Sequence, residues 1–148
     1  MDPDSRIEGR RKFVSIEKSG KEFFQLKLCT FNAQGLLTKY AQLGDFIYEH
    51  DPDVLVVTET YLDATIKNSE FTPPGYQCFR KDRELEFYTE GTYQQLNRGG
   101  VMIMVKSFLN PVPYERGEVG AEMVWITISP RPNISWVVGG AIGPRRMK

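Results

Sequence analysis

The amino-acid sequence predicts an α/β fold, a βαβ unit followed by mainly antiparallel strands. Three observations carry this. Residues 26–59 read in order as strand, helix and strand. Residues 53–58 (Asp-Val-Leu-Val-Val-Thr) form a nearly continuous apolar run, the pattern of a strand buried on both faces. The second half holds apolar segments of strand length punctuated by Gly and Pro turns.

Residues 1–22 look unlike the rest. They are polar, mixed in charge and without periodicity, and Ile7-Glu8-Gly9-Arg10 matches a cleavage site used in engineered leaders. They are expected to be a disordered tail or an added leader, with the domain occupying 23–148. The alternative is a basic arm that sets Arg10, Arg11 and Lys12 on phosphate.

Residues 23–32 read as a strand. Leu26, Leu28, Thr30 and Asn32 share one face, and Lys27, Cys29 and Phe31 share the other. Gly35 then permits a turn. Thr38 is the expected N-cap of a helix over 39–50, whose Tyr40, Leu43, Phe46 and Ile47 form one apolar face before Asp51-Pro52 ends it. The strand over 53–58 then lies parallel to the first, through a crossover expected to be right-handed. Residues 60–75 are loop and 76–80 a short strand. Residues 81–98, with Tyr88 and Tyr93, read as a long surface loop. Residues 99–106, 121–129 and 134–142 are three further strands. Trp125 and Trp136 within them are expected in the core, and Gly99-Gly100 is expected to make a tight turn into its strand.

Composition narrows the function. The chain has 148 residues, one modest domain, and 41% of them are apolar, enough for a core. With 19 basic and 19 acidic residues the formal charge is zero, so any nucleic-acid contact must come from a local patch and not from a net field. The two cysteines, Cys29 and Cys78, lie far apart without metal-ligand spacing, and Cys29 in its apolar run is expected to be a small buried hydrophobe. A reduced intracellular setting, nuclear or cytoplasmic, is the default. No apolar run approaches the ~18 residues of a membrane span, and no secretory signal opens the chain.

Parallel strands point their C-terminal ends the same way, so Asn32 and Glu59 are expected on one rim, where ligands bind in α/β sheets. A carboxylate there is a hard oxygen ligand suited to Mg²⁺, and an amide beside it can orient a phosphate oxygen. By spacing alone, both residues read first as ordinary turn and loop-start residues.

Four blocks change that weight: Leu28-Cys-Thr-Phe-Asn-Ala-Gln-Gly-Leu36, Asp53-Val-Leu-Val-Val-Thr-Glu-Thr-Tyr-Leu62, Pro74-Gly-Tyr-Gln-Cys-Phe-Arg-Lys-Asp-Arg83 and Arg98-Gly-Gly-Val-Met-Ile-Met-Val-Lys106. In this order they resemble the endonuclease/exonuclease/phosphatase (DNase I-like) family, and most closely the apurinic-type endonuclease domains of non-LTR, LINE-like retrotransposons. The resemblance spans about residues 24–142. It implies the N-terminal half of a four-layer α/β sandwich and Mg²⁺- or Mn²⁺-dependent cleavage of DNA. It sets Glu59 on the metal-binding glutamate and Asn32 on the asparagine that helps hold phosphate and metal.

The sequence departs from the family further on. Ile142-Gly-Pro144 stands where a Tyr commonly precedes the Pro. Gly-Asp-Phe-Asn and Ser-Asp-His, which bring an Asp, an Asn and a His, occur nowhere. The expectation is therefore an endonuclease by ancestry, inactive as this chain. The alternative is a non-catalytic nucleic-acid- or protein-binding fragment, with a homodimer or partner chain covering an apolar sheet face. His50, the single histidine, ends the helix and is expected to interact with its dipole. Arg80, Lys81, Arg83 and Arg98 are the candidates for backbone phosphate, against a reading as surface residues paired with Asp82 and Glu84. Arg145, Arg146 and Lys148 form a basic tail.

Overall fold

The computed structural model describes residues 9–18, 22–83, 99–115 and 122–142, with side chains from Gln25 onward. Its elements are β1 (Gly9–Lys18), β2 (Glu22–Asn32), α1 (Tyr40–His50), β3 (Val54–Thr58), β4 (Tyr76–Lys81), β5 (Val101–Lys106), β6 (Val112–Pro113), β7 (Met123–Arg131) and β8 (Ile134–Ala141), with short 3₁₀ turns at Asn68–Glu70 and Ser107–Leu109. They form two sheets, a mixed one in the order β1-β2-β3-β5-β4 and an antiparallel one in the order β6-β7-β8.

The βαβ unit is present. β2 and β3 pair in parallel, and β5 joins β3 antiparallel, with β4 beyond it. Strict alternation along the central strands then sorts the core into two layers. Cys29, Phe31, Leu55, Val57, Met102 and Met104 point to one face and meet Leu36, Leu43, Phe46, Ile47 and Leu62. Leu26, Val54, Val56, Val101, Ile103 and Val105 point to the other and meet Val124, Ile126 and Ile128 of β7. The described layers are helix, five-stranded sheet and three-stranded sheet, a mixed α/β content consistent with part of a sandwich. This double burial is why β3 carries no polar residue before Thr58.

α1 buries Leu43, Phe46 and Ile47, and Phe46 packs at a tilt on Phe31 with ring centroids 5.3 Å apart. The helix ends at Asp51, in the left-handed region at φ 45, whose N–H donates to the Ile47 carbonyl. Its start differs from expectation. A turn, in which Lys39 N–H donates to the Leu36 carbonyl (2.8 Å), carries Thr38 past the cap position. Lys39 takes that position and no side chain caps it.

Two other expectations are corrected. Gly9–Lys18, within the 1–22 stretch expected to be a disordered tail or an added leader, is not disordered but a strand paired antiparallel with β2 over its whole length. Its sequence hides this because the pairing, and not an apolar pattern, defines it. Trp125 is not in the core. It falls between the inward residues Val124 and Ile126, so strand alternation turns it to the outer face of the second sheet, over Gly139 of β8. Trp136 is partly buried against the core, as expected.

Candidate active site at the strand rim

The registers align one residue from each of four strands in a row. Asn32 of β2 pairs with Thr58 of β3, Thr58 with Val101 of β5, and Val101 with Lys81 of β4. Asn32, Glu59, Lys81, Asp82 and Arg83 therefore lie along one rim of the first sheet. Asp53 marks the opposite end, where its carboxylate accepts from the Lys27 N–H (2.8 Å) and pairs with Lys106 (3.3 Å).

Glu59 follows β3 directly and is held in the left-handed region at φ 54. The strand pairing continues past the strand ends and fixes it there. Ala33, Gly35 and Leu36 donate their N–H groups to the carbonyls of Thr58, Glu59 and Thr60 (2.8, 2.9 and 2.9 Å). On the other side Thr60 and Tyr61 donate to the carbonyls of Gly100 and Gly99 (3.3 and 2.9 Å). Thr60, between them, is the buried polar residue of the described core. The result is a stretched loop, clamped by β2's exit and β5's entry, that leaves the Glu59 side chain half-buried at the rim.

Asn32 is exposed, and its Oδ1 accepts from the Gln34 N–H at 3.1 Å. One lone pair of that oxygen is used in this way, and the amide NH₂ remains a donor. The Glu59 Oε2 lies 3.4 Å from the Tyr61 hydroxyl.

The basic candidates are built into the wall. Arg80 reaches the Asp63 carbonyl (2.8 Å), Asn68 Oδ1 (3.1 Å) and Asp82 (3.1 Å), with 11% of its side chain exposed. Arg83 donates from Nε to Glu122 Oε1 at 2.6 Å, and Glu122 Oε2 accepts from the Gly100 N–H at 3.2 Å. Arg83 thus supports the strand entry that clamps Glu59. Arg80 and Lys81 also line an open groove of about 890 Å³, with Lys67, Phe79, Tyr114 and Trp125 among its walls. Its thiol, Cys78, is pushed up to about 12 by burial. Arg98, Tyr88, Tyr93 and the basic tail lie outside the described residues. His50 sits at the C-terminal end of α1 and packs at a tilt on Phe46, with ring centroids 4.5 Å apart. Because α1 runs back from the rim, that end is away from Glu59.

Sequence reasoning missed Tyr61 and Glu122. Tyr61 lies inside the second of the four blocks but was given no role there, and Glu122 acts on Arg83 and the Gly100 N–H, both far from it in sequence. Gly35 gave the one trace, as a glycine placed after Asn32.

Residues 29–140 match the Endonuclease/Exonuclease/phosphatase family. The chain belongs to this family. No curated protein matches it. Family membership places it among nuclease- and phosphatase-type hydrolases, which usually use divalent metals. The donors at the rim fit such an ion in part. Mg²⁺ is typically held by one or two carboxylates, with water and substrate phosphate completing its shell. Glu59 supplies one carboxylate beside the Asn32 amide, and among the described residues no group of three His, Cys, Asp or Glu is close enough to hold a metal. No described helix is long and apolar enough to cross a membrane.

Proposed function

We propose that this chain carries part of a Mg²⁺- or Mn²⁺-dependent DNA endonuclease site of the non-LTR retrotransposon type. The observation that supports it is the rim row. The residues that the resemblance sets on the family's asparagine and glutamate lie side by side: Asn32 ends β2 opposite Thr58, and Glu59 follows Thr58 in the clamped loop of a family member. In this reading Glu59 is the metal ligand and the Asn32 NH₂ donates to a phosphate oxygen. When bound, the cation supplies charge stabilisation at phosphorus. The four ordered sequence blocks support the retrotransposon type.

The same inventory argues that the 148-residue chain does not hydrolyse DNA by itself. Hydrolysis needs a positioned base for water as well as charge stabilisation. His50 is at the far end of α1, and the motifs that would add Asp, Asn and a second His are not in the sequence.

A plasmid-nicking assay with Mg²⁺ tests this on the chain and on Glu59→Ala. The expected result is no metal-dependent nicking above background from either. Robust nicking that Glu59→Ala abolishes would overturn the inactive half-site.

A second reading has its own observation. Val112 and Val137, 56% and 49% exposed, lie on the small second sheet, whose edge strand β8 has no further pairing among the described residues. This favours a binding fragment, in which a second copy or a partner chain covers that sheet.

A further inference from the structure

The geometry points to Tyr61 as a positioning residue of the rim site: we propose that its hydroxyl orients the Glu59 carboxylate for a divalent cation. This rests on the reading of Glu59 as a metal ligand, and it gives a role to Tyr61, to which the resemblance assigned none.

Tyr61 touches both arms of the site. Its ring lies against Gly35, where an added Cβ would stand 3.0 Å from Cδ2. Gly35 itself has φ +99 and belongs to the segment that leaves Asn32. The Tyr61 hydroxyl lies 3.4 Å from Glu59 Oε2. One side chain thus packs on the asparagine arm and reaches the glutamate.

The backbone holds it there under strain. Tyr61 has φ 56, two residues after Glu59 at φ 54, and its N–H donates to the Gly99 carbonyl at 2.9 Å. A bulky residue in this region is an outlier that costs about 1–3 kcal/mol and persists where the surroundings over-determine it. Tyr61 is half-buried, so its ring and hydroxyl are held by their surroundings. Here the backbone conformation carries the phenol back toward Glu59.

The chemistry follows from the distance. At 3.4 Å the contact is longer than a formed O–H···O bond. Phenol and carboxylate are poised, and such bonds tighten when the site is loaded. A donor on Oε2 would fix the carboxylate plane and leave the other oxygen available to a cation. Hydrogen bonds to a ligating carboxylate of this kind are worth about 10–100-fold in metal affinity.

Ring packing and hydroxyl donation are separable, because Tyr61→Phe keeps the ring on Gly35. The experiment is a Mn²⁺ titration of the isotope-labelled 148-residue chain, read as paramagnetic broadening of the amide signals of residues 58–62 and Gly35. Wild type, Glu59→Gln, Tyr61→Phe, Glu59→Asp and the Tyr61→Phe/Glu59→Asp pair are compared, and the same spectra report each variant's fold.

Glu59→Gln is expected to remove the localised broadening. Tyr61→Phe is expected to raise the Mn²⁺ concentration needed by about tenfold with the fold unchanged. In the Glu59→Asp background, whose shorter side chain withdraws from the phenol, Tyr61→Phe is expected to add nothing. Wild-type affinity in Tyr61→Phe would overturn the role of Tyr61 and leave Glu59 standing. An equal loss in both backgrounds would also overturn it, since Tyr61 would then act other than through Glu59. No localised broadening in the wild type would overturn both readings.

Discussion

Glu59 is held in an unfavourable backbone conformation by its neighbours on either side, and two of those neighbours are glycines for a steric reason. Gly35 has φ +99 beside the Tyr61 ring, and Gly100 has φ +97 with Thr60 Oγ1 where a Cβ would go. Thr60 cannot swing aside, being fully buried with its Oγ1 accepting from the Leu62 N–H. Gly35→Ala and Gly100→Ala are each expected to destabilise the fold by about 1–3 kcal/mol. Gly44 is the control. It lies exposed in α1 with nothing near its Cβ position, so Gly44→Ala is expected to stabilise by about 0.5–1 kcal/mol. Denaturant midpoints of the three variants check both signs, and a neutral Gly100→Ala would show that the clamp is slack. The candidate residues Asn32 and Glu59 were legible because period-2 patterning and a parallel pair suffice to set strand ends on one rim. The clamp itself was not, since a left-handed glutamate is a property of hydrogen bonds made by residues 33–36 and 99–100, which no local pattern announces.

At the scale of elements, β4 is held at both ends by polar contacts. Arg80 ties its rim end to the 63–68 loop, and at the other end the Tyr76 hydroxyl donates to the Pro52 carbonyl at 2.6 Å. Burial, then the charges of Asp51 and Asp53, raise the Tyr76 phenol well above its usual value of 10.0. Lys106 sits in the same corner, where Asp51 and Asp53 outweigh the effect of burial and favour its charge. The linkage has a definite sign. An unfolded Tyr76 loses its proton near pH 10 while the folded one keeps it, so its contribution is complete below about pH 10 and is lost as pH rises beyond. Tyr76→Phe is expected to cost about 1 kcal/mol at neutral pH and to flatten the alkaline fall in stability. Urea unfolding at neutral and alkaline pH measures both, and an unchanged alkaline slope would remove Tyr76 from the account. The elements whose own residues alternate or recur at helical spacing, β2, α1, β3, β5, β7 and β8, were legible within a few residues. Those defined by a partner were not. β1 exists through β2, the Arg83–Glu122 pair joins segments far apart in sequence, and Trp125 faces outward only because Val124 and Ile126 claim the core.

For the whole molecule, the edges of the sheets decide how it behaves in solution. A sheet edge is a template for another strand unless charge, proline or shortness blunts it. Of the sheet edges whose side chains are described, two are blunted: β4 carries Arg80 and Lys81, and β6 is two residues long and ends in Pro113. β8 differs. Ile134–Ala141 has neither a charge nor a proline, and no described strand lies beyond it. Its outward side shows Val137 at 49% exposure, beside the half-buried Trp125 of β7. An uncharged edge is complementary to its own copy, and two β8 strands set antiparallel about a two-fold axis would extend the three-stranded sheet to six. The chain is therefore expected to self-associate as its concentration rises. Val137→Lys, which sets a charge in the middle of the edge strand on the solvent side, is expected to shift it toward monomer without loss of fold, because no core contact is removed. Size-exclusion chromatography with light scattering over a concentration series reads this directly. A wild-type chain that stays monomeric throughout would show that β8 is covered by other means, and association that Val137→Lys leaves untouched would place the contact on a different surface.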